Sequence, residues 1–354
     1  MHNNKNTINL VNKLKNTENI FIFGAGSAGK ELKGILDGFN IKVKGFLDND
    51  KKKWGSEIDG IKVNPPSVQL LRKADIFICI ASIWARDIAK GLRKMGVRKY
   101  LDMTFWDQRL RKNFDKDKIK KSVKFIKAAI RLFSDVESKK VFRALINYRL
   151  SMDPVNLRTS SYEQYNHPKV GPRRNDVIID AGAFTGDSAI QFCKQLQNKC
   201  TIFSFEPGEN NCKIMKNNLK SEGMQNKVFT IKAALWRENS MLKINTRVAS
   251  DSFFLCDTGN TNIHAISIDS FIKKRKIVPD LIKMDIEGAE YEAIEGASDT
   301  IRIYGPKLQI SLYHKLSDLW KIPLLIKKLN SKYRLYLGHH TQSLAESVLY
   351  ATIN

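Results

Sequence analysis

An apolar run that breaks into a glycine-rich turn and then a helix occurs twice in this chain, and that repetition fixes most of what the chain can become. Residues 21–32 read FIFGAGSAGKEL and residues 177–187 read VIIDAGAFTGD. Each opens a β-strand–turn–helix unit, and strands alternating with helices imply a parallel sheet with right-handed crossovers. In the first unit, 20–24, 41–47 and 75–81 read as strands, and Ser27 to Leu36 and Trp84 to Met95 as helices; the unit closes near residue 102. From Asp176 the alternation restarts. VIID, TIFSFE, VFTIKAAL, LIKMDI and LQISLY read as strands, with helices at DSAIQFCKQL and from Glu209 to Leu219. YRLYL and SVLYATI close the chain as a hairpin, which makes the second sheet seven-stranded and mixed. The expectation is α/β, with two doubly wound sheets.

The boundaries follow. Residues 1–19 form an N-terminal helical arm, 20–104 the first domain, 105–175 a helical linker and 176–354 the second domain. From Arg109 to Arg149 the linker carries fourteen Lys/Arg against four Asp/Glu, with Phe125, Ala128, Ala129 and Leu132 at helical spacing. It reads as basic amphipathic helices, solvated by default and able to touch an anionic membrane surface. The whole chain is basic, +24 over 354 residues, which favours anionic partners without bearing on the fold. No run approaches the ~18 apolar residues of a membrane span, and the N-terminus lacks the apolar core of a signal peptide. The five cysteines (Cys79, Cys193, Cys200, Cys212, Cys256) have no zinc-like spacing, and Cys79 and Cys193 fall inside apolar elements. A reducing cytoplasm fits, possible membrane contact being on its inner face.

The first loop has the spacing of a dinucleotide turn. Gly24, Gly26 and Gly29 follow a strand and open a helix, and Asp48 lies twenty-two positions beyond Gly26, where a ribose-binding carboxylate sits. A phosphate-cradling P-loop is excluded because Glu31 replaces the required Ser/Thr. The bland alternative is a tight turn that wants glycine for packing alone. Residues 20–102, through GAGSAGKEL, GFLDND and GIKV, resemble the N-terminal Rossmann-like domain of sugar-modifying enzymes, such as bacillosamine-type acetyltransferases and some glycan methyltransferases. The resemblance implies a nucleotide or nucleotide-sugar ligand. Hydride transfer is not implied, since no Tyr-x-x-x-Lys follows.

The second loop differs. Asp180, Gly182 and Gly186 lack the third dinucleotide glycine, and Asp180 is placed either to bind a cationic amino group or to order the loop. Glu206, twenty residues past Gly186 with Pro207 beside it, is placed to accept both hydroxyls of a ribose. The small loop through Ala183, Phe184 and Thr185 admits an uncharged adenosyl group rather than a pyrophosphate, and Ala233 and Ala234 form a wall for adenine. S-adenosylmethionine is the cofactor that fits.

Residues 176–352 resemble the FkbM family of S-adenosylmethionine-dependent methyltransferases, through IIDAGAFTGD, FSFEP, KAAL, IKMDIEGAE with EGA, and LYHKLSDLWKIP. The resemblance implies a class I methyltransferase fold and methyl transfer to oxygen, usually a hydroxyl of a sugar or another metabolite. Such transfer needs nucleophile and sulfonium aligned, and a base for the hydroxyl. Asp285, at the carboxyl end of a strand, is the first candidate for contacting acceptor or cofactor. Glu287 and Glu290 follow it, one of them a possible helix cap. His314 is the candidate base, with an inflection expected at ~6–7; His339 and His340 stand next in line, only one of them able to face the site. Asp285 and His314 do not make a recognised ligand set, and no metal is expected.

An RNA methyltransferase would suit the charge, but MDIEGAE stands where base-amine methyltransferases carry Pro-Pro-aromatic. An NAD-dependent sugar-nucleotide oxidoreductase would rest on the first loop alone. The expected acceptor is therefore a sugar, nucleotide-sugar or glycan, with no specific nucleic acid.

Overall fold

The computed structural model describes residues 5–71, 76–104, 113–245, 254–255 and 261–353. The chain divides into two compact units, residues 1–124, 139–160 and 339–346 in the first, and 125–138, 161–338 and 347–354 in the second. Within the segment read as linker, 105–175, the described residues form helices at Lys116–Lys121, Val123–Leu132 and Val136–Ser151, and the two units share them.

In unit 1 the elements run α1 (Lys5–Lys15), β1 (Asn19–Phe23), α2 (Ser27–Gly38), β2 (Gly45–Leu47), β3 (Glu57–Ile58), β4 (Ile61–Asn64), α3 (Val68–Leu71), β5 (Ile76–Ile80), α4 (Ala85–Lys94) and β6 (Tyr100–Asp102). After α5 (Lys116–Lys121) and α6 (Val123–Leu132), unit 1 receives most of α7 (Val136–Ser151). The sheet order is β3-β4-β2-β1-β5-β6, parallel except for the β3 edge. The strand expected over 41–47 is only three residues long. Ile20, Ile22 and all of β5 are buried, so the central strands read as continuous apolar runs, as strands covered on both faces do. Ile78, Ile80, Ile88 and Leu92 form the core between β5 and α4.

Unit 2 carries β7 (Val177–Ala181), α8 (Asp187–Gln195), β8 (Thr201–Phe205), α9 (Glu209–Ser221), β9 (Val228–Ile231), β10 (Ala234–Leu235), β11 (Ser240–Asn245), β12 (Phe254–Leu255), β13 (Thr261–Ile266), α10 (Ile268–Arg275), β14 (Leu281–Met284), α11 (Glu290–Glu295), α12 (Ser298–Ile303), β15 (Lys307–Ser311), α13 (Asp318–Leu329), β16 (Arg334–His339) and β17 (Ser347–Thr352). Its main sheet has the order β16-β17-β15-β14-β7-β8-β9, with β17 antiparallel to β15. That is the expected seven-stranded mixed sheet. A second, four-stranded sheet, β10-β13-β11-β12, was not anticipated. It forms because VFTIKAAL breaks at Lys232–Ala233 into β9 and β10, which join different sheets.

Cys79, Cys193, Cys200 and Cys212 are buried free thiols; Cys256 lies outside the described residues. Among the described residues no helix is long and apolar enough to cross a membrane.

Candidate functional site

The four central strands of the unit 2 sheet, β8, β7, β14 and β15, end on one edge, where open α/β sheets take ligands. The loops that follow them carry Glu206, Gly182–Gly186, Asp285 and His314. The sequence-predicted groups are thus brought together, apart from His339.

The loop after β7 is held by close backbone approach. Gly182 has φ +73°, and a Cβ there would lie 1.8 Å from the Asp285 carbonyl oxygen. Only glycine fits, and its absence of a side chain lets the β7 and β14 loops touch. Gly182 N–H and Ala183 N–H both donate to the Phe205 carbonyl, at 3.0 and 3.1 Å. Gly186, at φ +94°, starts α8.

Asp180 has partners within the chain that order the loop. It is fully buried, and Lys283, directly opposite in the β7–β14 register, places its Nζ 2.9 Å from Asp180 Oδ1. Ser188 Oγ donates to Oδ2 at 2.8 Å. The same ammonium donates to the Gly182 carbonyl at 2.9 Å, so one buried cation ties strand end and loop together. Sequence reading missed Lys283. Its signal was a lysine inside the apolar run LIKM, beside a strand with an aspartate at the matching position.

Glu206 is also buried. Its Oε2 accepts the Phe184 N–H at 3.1 Å, and its Oε1 accepts the Gly208 N–H at 2.9 Å and Asn211 Nδ2 at 3.2 Å. Burial pushes its pKa up against these hydrogen bonds and Lys283. A carboxylate offers about four acceptor positions, so one stays open for a ribose hydroxyl. The expectation of accepting both hydroxyls therefore requires Asn211 or a backbone donor to yield. Phe184 is exposed on the loop, Ala183 and Ala233 are buried, and Thr185, Pro207 and Ala234 are half-buried.

On the other side of the edge, Asp285 accepts from Tyr313 Oη at 3.0 Å and from Tyr165 Oη at 3.3 Å. Neither tyrosine was anticipated; both lie outside the glycine-loop and acidic motifs. The His314 side chain is nearly inaccessible. Its Nδ1 lies 2.8 Å from Glu290 Oε1, and its Nε2 lies 3.5 Å from both Asp285 Oδ1 and Glu287 Oε2. Glu290 is no side-chain cap. It opens α11, and its Oε1 accepts the Ile286 N–H at 2.9 Å from the preceding turn.

Charge governs this cluster. Burial pulls the His314 pKa down, but Glu290 foremost, then Asp285 and Glu287, outweigh it and raise it to about 10. For Glu290, burial works upward, and the imidazolium outweighs it to hold the carboxyl below its ordinary range. Asp318, buried near Glu290, is pushed up to about 8 by burial first and that like charge second. The expected inflection at 6–7 for His314 is thereby corrected: three carboxylates around one ring hold the proton to far higher pH. Ligand atoms of Asp285, Glu290 and His314 lie within 4.8 Å of one another, so the set is able to hold a metal ion. A proton on Nδ1 already satisfies the His314–Glu290 contact without one.

His339 does not join this group. It belongs to unit 1, is fully buried, and is pushed down to about 3 by burial, then by Arg149, His340 and Arg86. The adjacent His340 is half-buried in the same segment.

In unit 1, Gly24 (φ +120°) would place a Cβ 2.2 Å from the Ala81 carbonyl oxygen, and Gly29 one 1.9 Å from that of Gly24. Packing alone requires both. Gly26 faces open space. Asp48 accepts the Ala25 N–H at 2.8 Å and Lys53 Nζ at 2.9 Å, clasping the loop from below.

Comparison with known proteins places these features. The methyltransferase FkbM domain matches residues 180–342, and the C2185-like, N-terminal domain matches residues 16–101. A methyltransferase FkbM from Methylobacillus flagellatus KT is similar in structure at 20% identity, covering 98% of this chain and 93% of its own, with a TM-score of 0.75. Fibrillarin from Aeropyrum pernix, solved with natively bound S-adenosyl-L-methionine, is 11% identical over 51% of this chain and 67% of its own, with a TM-score of 0.33. UDP-D-quinovosamine 4-dehydrogenase from Vibrio fischeri is 27% identical over 24% of this chain and 79% of its own, with a TM-score of 0.21. No curated protein matches the chain.

Proposed function

We propose that this chain, whose residues 180–342 match the methyltransferase FkbM domain, is an S-adenosylmethionine-dependent O-methyltransferase acting on a hydroxyl of a sugar, nucleotide-sugar or glycan. The observation that carries the oxygen-specific part is the Glu290–His314 pair. Glu290 holds Nδ1 and turns Nε2 toward Asp285, whose own backbone presses on Gly182 of the cofactor loop. A base is thus held beside that loop. A hydroxyl gives up its proton as it takes a methyl group, and a positioned base serves that step.

The cofactor supplies an activated methyl group. The protein's part is to bind and to move a proton. Glu206, through its remaining acceptor position, and the 182–186 backbone would hold the cofactor's ribose and adenosyl group. Asp285, steadied by the Tyr165 and Tyr313 hydroxyls, accepts a hydrogen bond from the acceptor hydroxyl. Deprotonated His314 would take that hydroxyl's proton at Nε2, with Nδ1–H held by Glu290. Positioning of this kind accounts for most of what such a displacement asks of a protein.

The test is incubation with methyl-labelled cofactor and a panel of free sugars, sugar nucleotides and glycans, read by mass spectrometry. A methyl ether on a sugar ring supports the reading. Label confined to nitrogen, or to RNA, overturns it.

A further inference from the structure

Of the four buried free thiols, two touch. Cys193 Sγ and Cys200 Sγ lie 3.6 Å apart in unit 2, close enough for one thiol to donate to the other. The remaining two have different surroundings. Cys79 is closed inside β5 of unit 1, and Cys212 donates to the Glu206 carbonyl at 3.2 Å. The methyl-transfer reading uses neither member of the pair.

The local fold brings the two sulfurs together. Cys193 lies on the buried face of α8 with Ala189 and Phe192. The helix is capped at Leu196, and Gln197 and Asn198, at φ +54° and +58°, turn the chain back into β8. Asn198 N–H donates to the Cys193 carbonyl at 2.8 Å, and Asn175 N–H to the Lys199 carbonyl at 2.7 Å, so the turn is fixed on both sides. Both cysteines join one apolar cluster with Leu196 and Ile202, but they are not equivalent. Cys193 is fully buried, whereas Cys200 keeps 5% of its surface and is the sulfur a small reagent meets first. The Cys193 thiol foremost, and Lys227 after it, hold the Cys200 thiol below its ordinary range, with burial opposing them. The thiolate is the nucleophile in thiol oxidation, and a second thiol in contact turns the first product into a disulfide.

We propose that Cys193 and Cys200 form a redox-modification site, which a small hydroperoxide converts reversibly into an intramolecular disulfide. The Cys200 thiolate attacks a peroxide oxygen, the O–O bond breaks, and the departing oxygen takes up the proton that Cys200 gave up. That leaves a sulfenic acid on Cys200. The Cys193 sulfur then attacks the Cys200 sulfur, the S–O bond breaks, and the leaving hydroxide takes the Cys193 proton. Two thiols are oxidised to one disulfide, and hydrogen peroxide is reduced to two waters. External thiols reverse the change by exchange, ending as a disulfide of their own.

The experiment treats the reduced full chain with dilute hydrogen peroxide, quenches with iodoacetamide under denaturing conditions, and maps tryptic peptides by mass spectrometry. Lys194 and Lys199 stand between the two cysteines, so trypsin separates them unless a disulfide joins them. The expected product is a Cys193–Cys200 peptide pair that dithiothreitol resolves, with Cys79 and Cys212 recovered alkylated. Cys193→Ala should stop at a Cys200 sulfenic acid captured by dimedone, and Cys200→Ala should slow oxidation of Cys193 about tenfold or more. Oxidised wild type should melt at a higher temperature than reduced, because a crosslink compatible with the native fold restricts the unfolded chain. Recovery of both cysteines as free thiols, at peroxide levels that oxidise free cysteine, overturns the proposal. So does a bridge to Cys212 or Cys256, a sulfenic acid on Cys193 instead of Cys200, or an oxidised form that melts lower. The wild-type peptide map decides the matter even where a variant fails to fold, and no readout depends on methyl transfer.

Discussion

Replacing Glu290 by glutamine should lower the pH at which His314 loses its proton by more than any other single substitution. Raising an imidazole from 6.5 to about 10 corresponds to on the order of 5 kcal/mol of preference for the protonated ring. Glu290, at 2.8 Å and fully buried, is the largest of the upward contributors, ahead of Asp285 and Glu287. Glutamine keeps an acceptor for the Ile286 N–H and for Nδ1–H but removes the charge. In the wild type, about one His314 in a thousand is neutral at pH 7, so the rate of methyl transfer should climb about tenfold per pH unit and level near pH 10. In the variant the inflection should move toward neutrality, with a lower plateau because the base is weaker. The sign for stability is fixed by the same shift. A folded-state pKa above the unfolded value contributes stability that is complete below ~6.5 and is lost as pH rises through about 10. The wild type's unfolding free energy should therefore fall by about 1.4 kcal/mol per pH unit across that window, and the variant's slope should flatten. The direct measurement is an NMR titration of the His314 ring with single-turnover rates alongside. A wild-type ring that titrates near 6.5, or a variant that titrates where the wild type does, refutes the reasoning.

Three further outcomes follow from the same edge. Glu206→Ala removes the acceptor of a ribose hydroxyl and of the Phe184 N–H, and should weaken S-adenosylhomocysteine binding at least tenfold by calorimetry, each charge-assisted bond being worth ~1.5–3 kcal/mol; unchanged affinity would sink its assignment. Gly182→Ala puts a methyl group 1.8 Å from the Asp285 carbonyl at positive φ, so the β7 and β14 loops must separate, and cofactor affinity should drop with a measurable loss of thermal stability. Lys283→Met leaves Asp180 buried without its cation and should cost about 3–5 kcal/mol in denaturant unfolding, with Asp180→Asn in the same background recovering part of it.

The strands, both glycine loops and the carboxyl-edge acids were legible because each rests on a local pattern. A buried parallel strand is an apolar run, and a strand-to-helix turn at positive φ wants glycine. What was not legible depends on pairs distant in sequence. By sequence Asp180 could bind a cofactor amine or order the loop, and only the β7–β14 register shows that Lys283 faces it. His314 looked like a neutral-pH base because a lone histidine titrates near 6.5; three carboxylates within 3.5 Å are a tertiary fact. His339 fell at the end of a strand that belongs to the second domain by sequence, yet residues 339–346 pack with unit 1. Tyr165, twelve residues ahead of β7, reaches Asp285 only through the fold.

Exposure then separates the acids that build the edge from those that work at it. Asp180 and Glu206 are 0% and 4% exposed, and their oxygens are spent on Lys283, Ser188 and backbone amides. They shape the loop that receives the cofactor, and Glu206 retains one position for it. The side chains of Asp285 and Glu287 are 21% and 33% exposed, with His314 Nε2 at 3.5 Å from each. A fully buried carboxylate on the far nitrogen of that ring sets its orientation without meeting any ligand. Glu290 is thus a positioning residue, and the accessible carboxylates of the cluster are those of Asp285 and Glu287, with His314 Nε2 buried behind them. On the proposed reading an incoming hydroxyl meets the Asp285 and Glu287 oxygens, which already favour the ring's protonated state. On that reading His314 is a base held protonated at neutral pH by its three carboxylates, and turnover is expected to follow its unprotonated fraction.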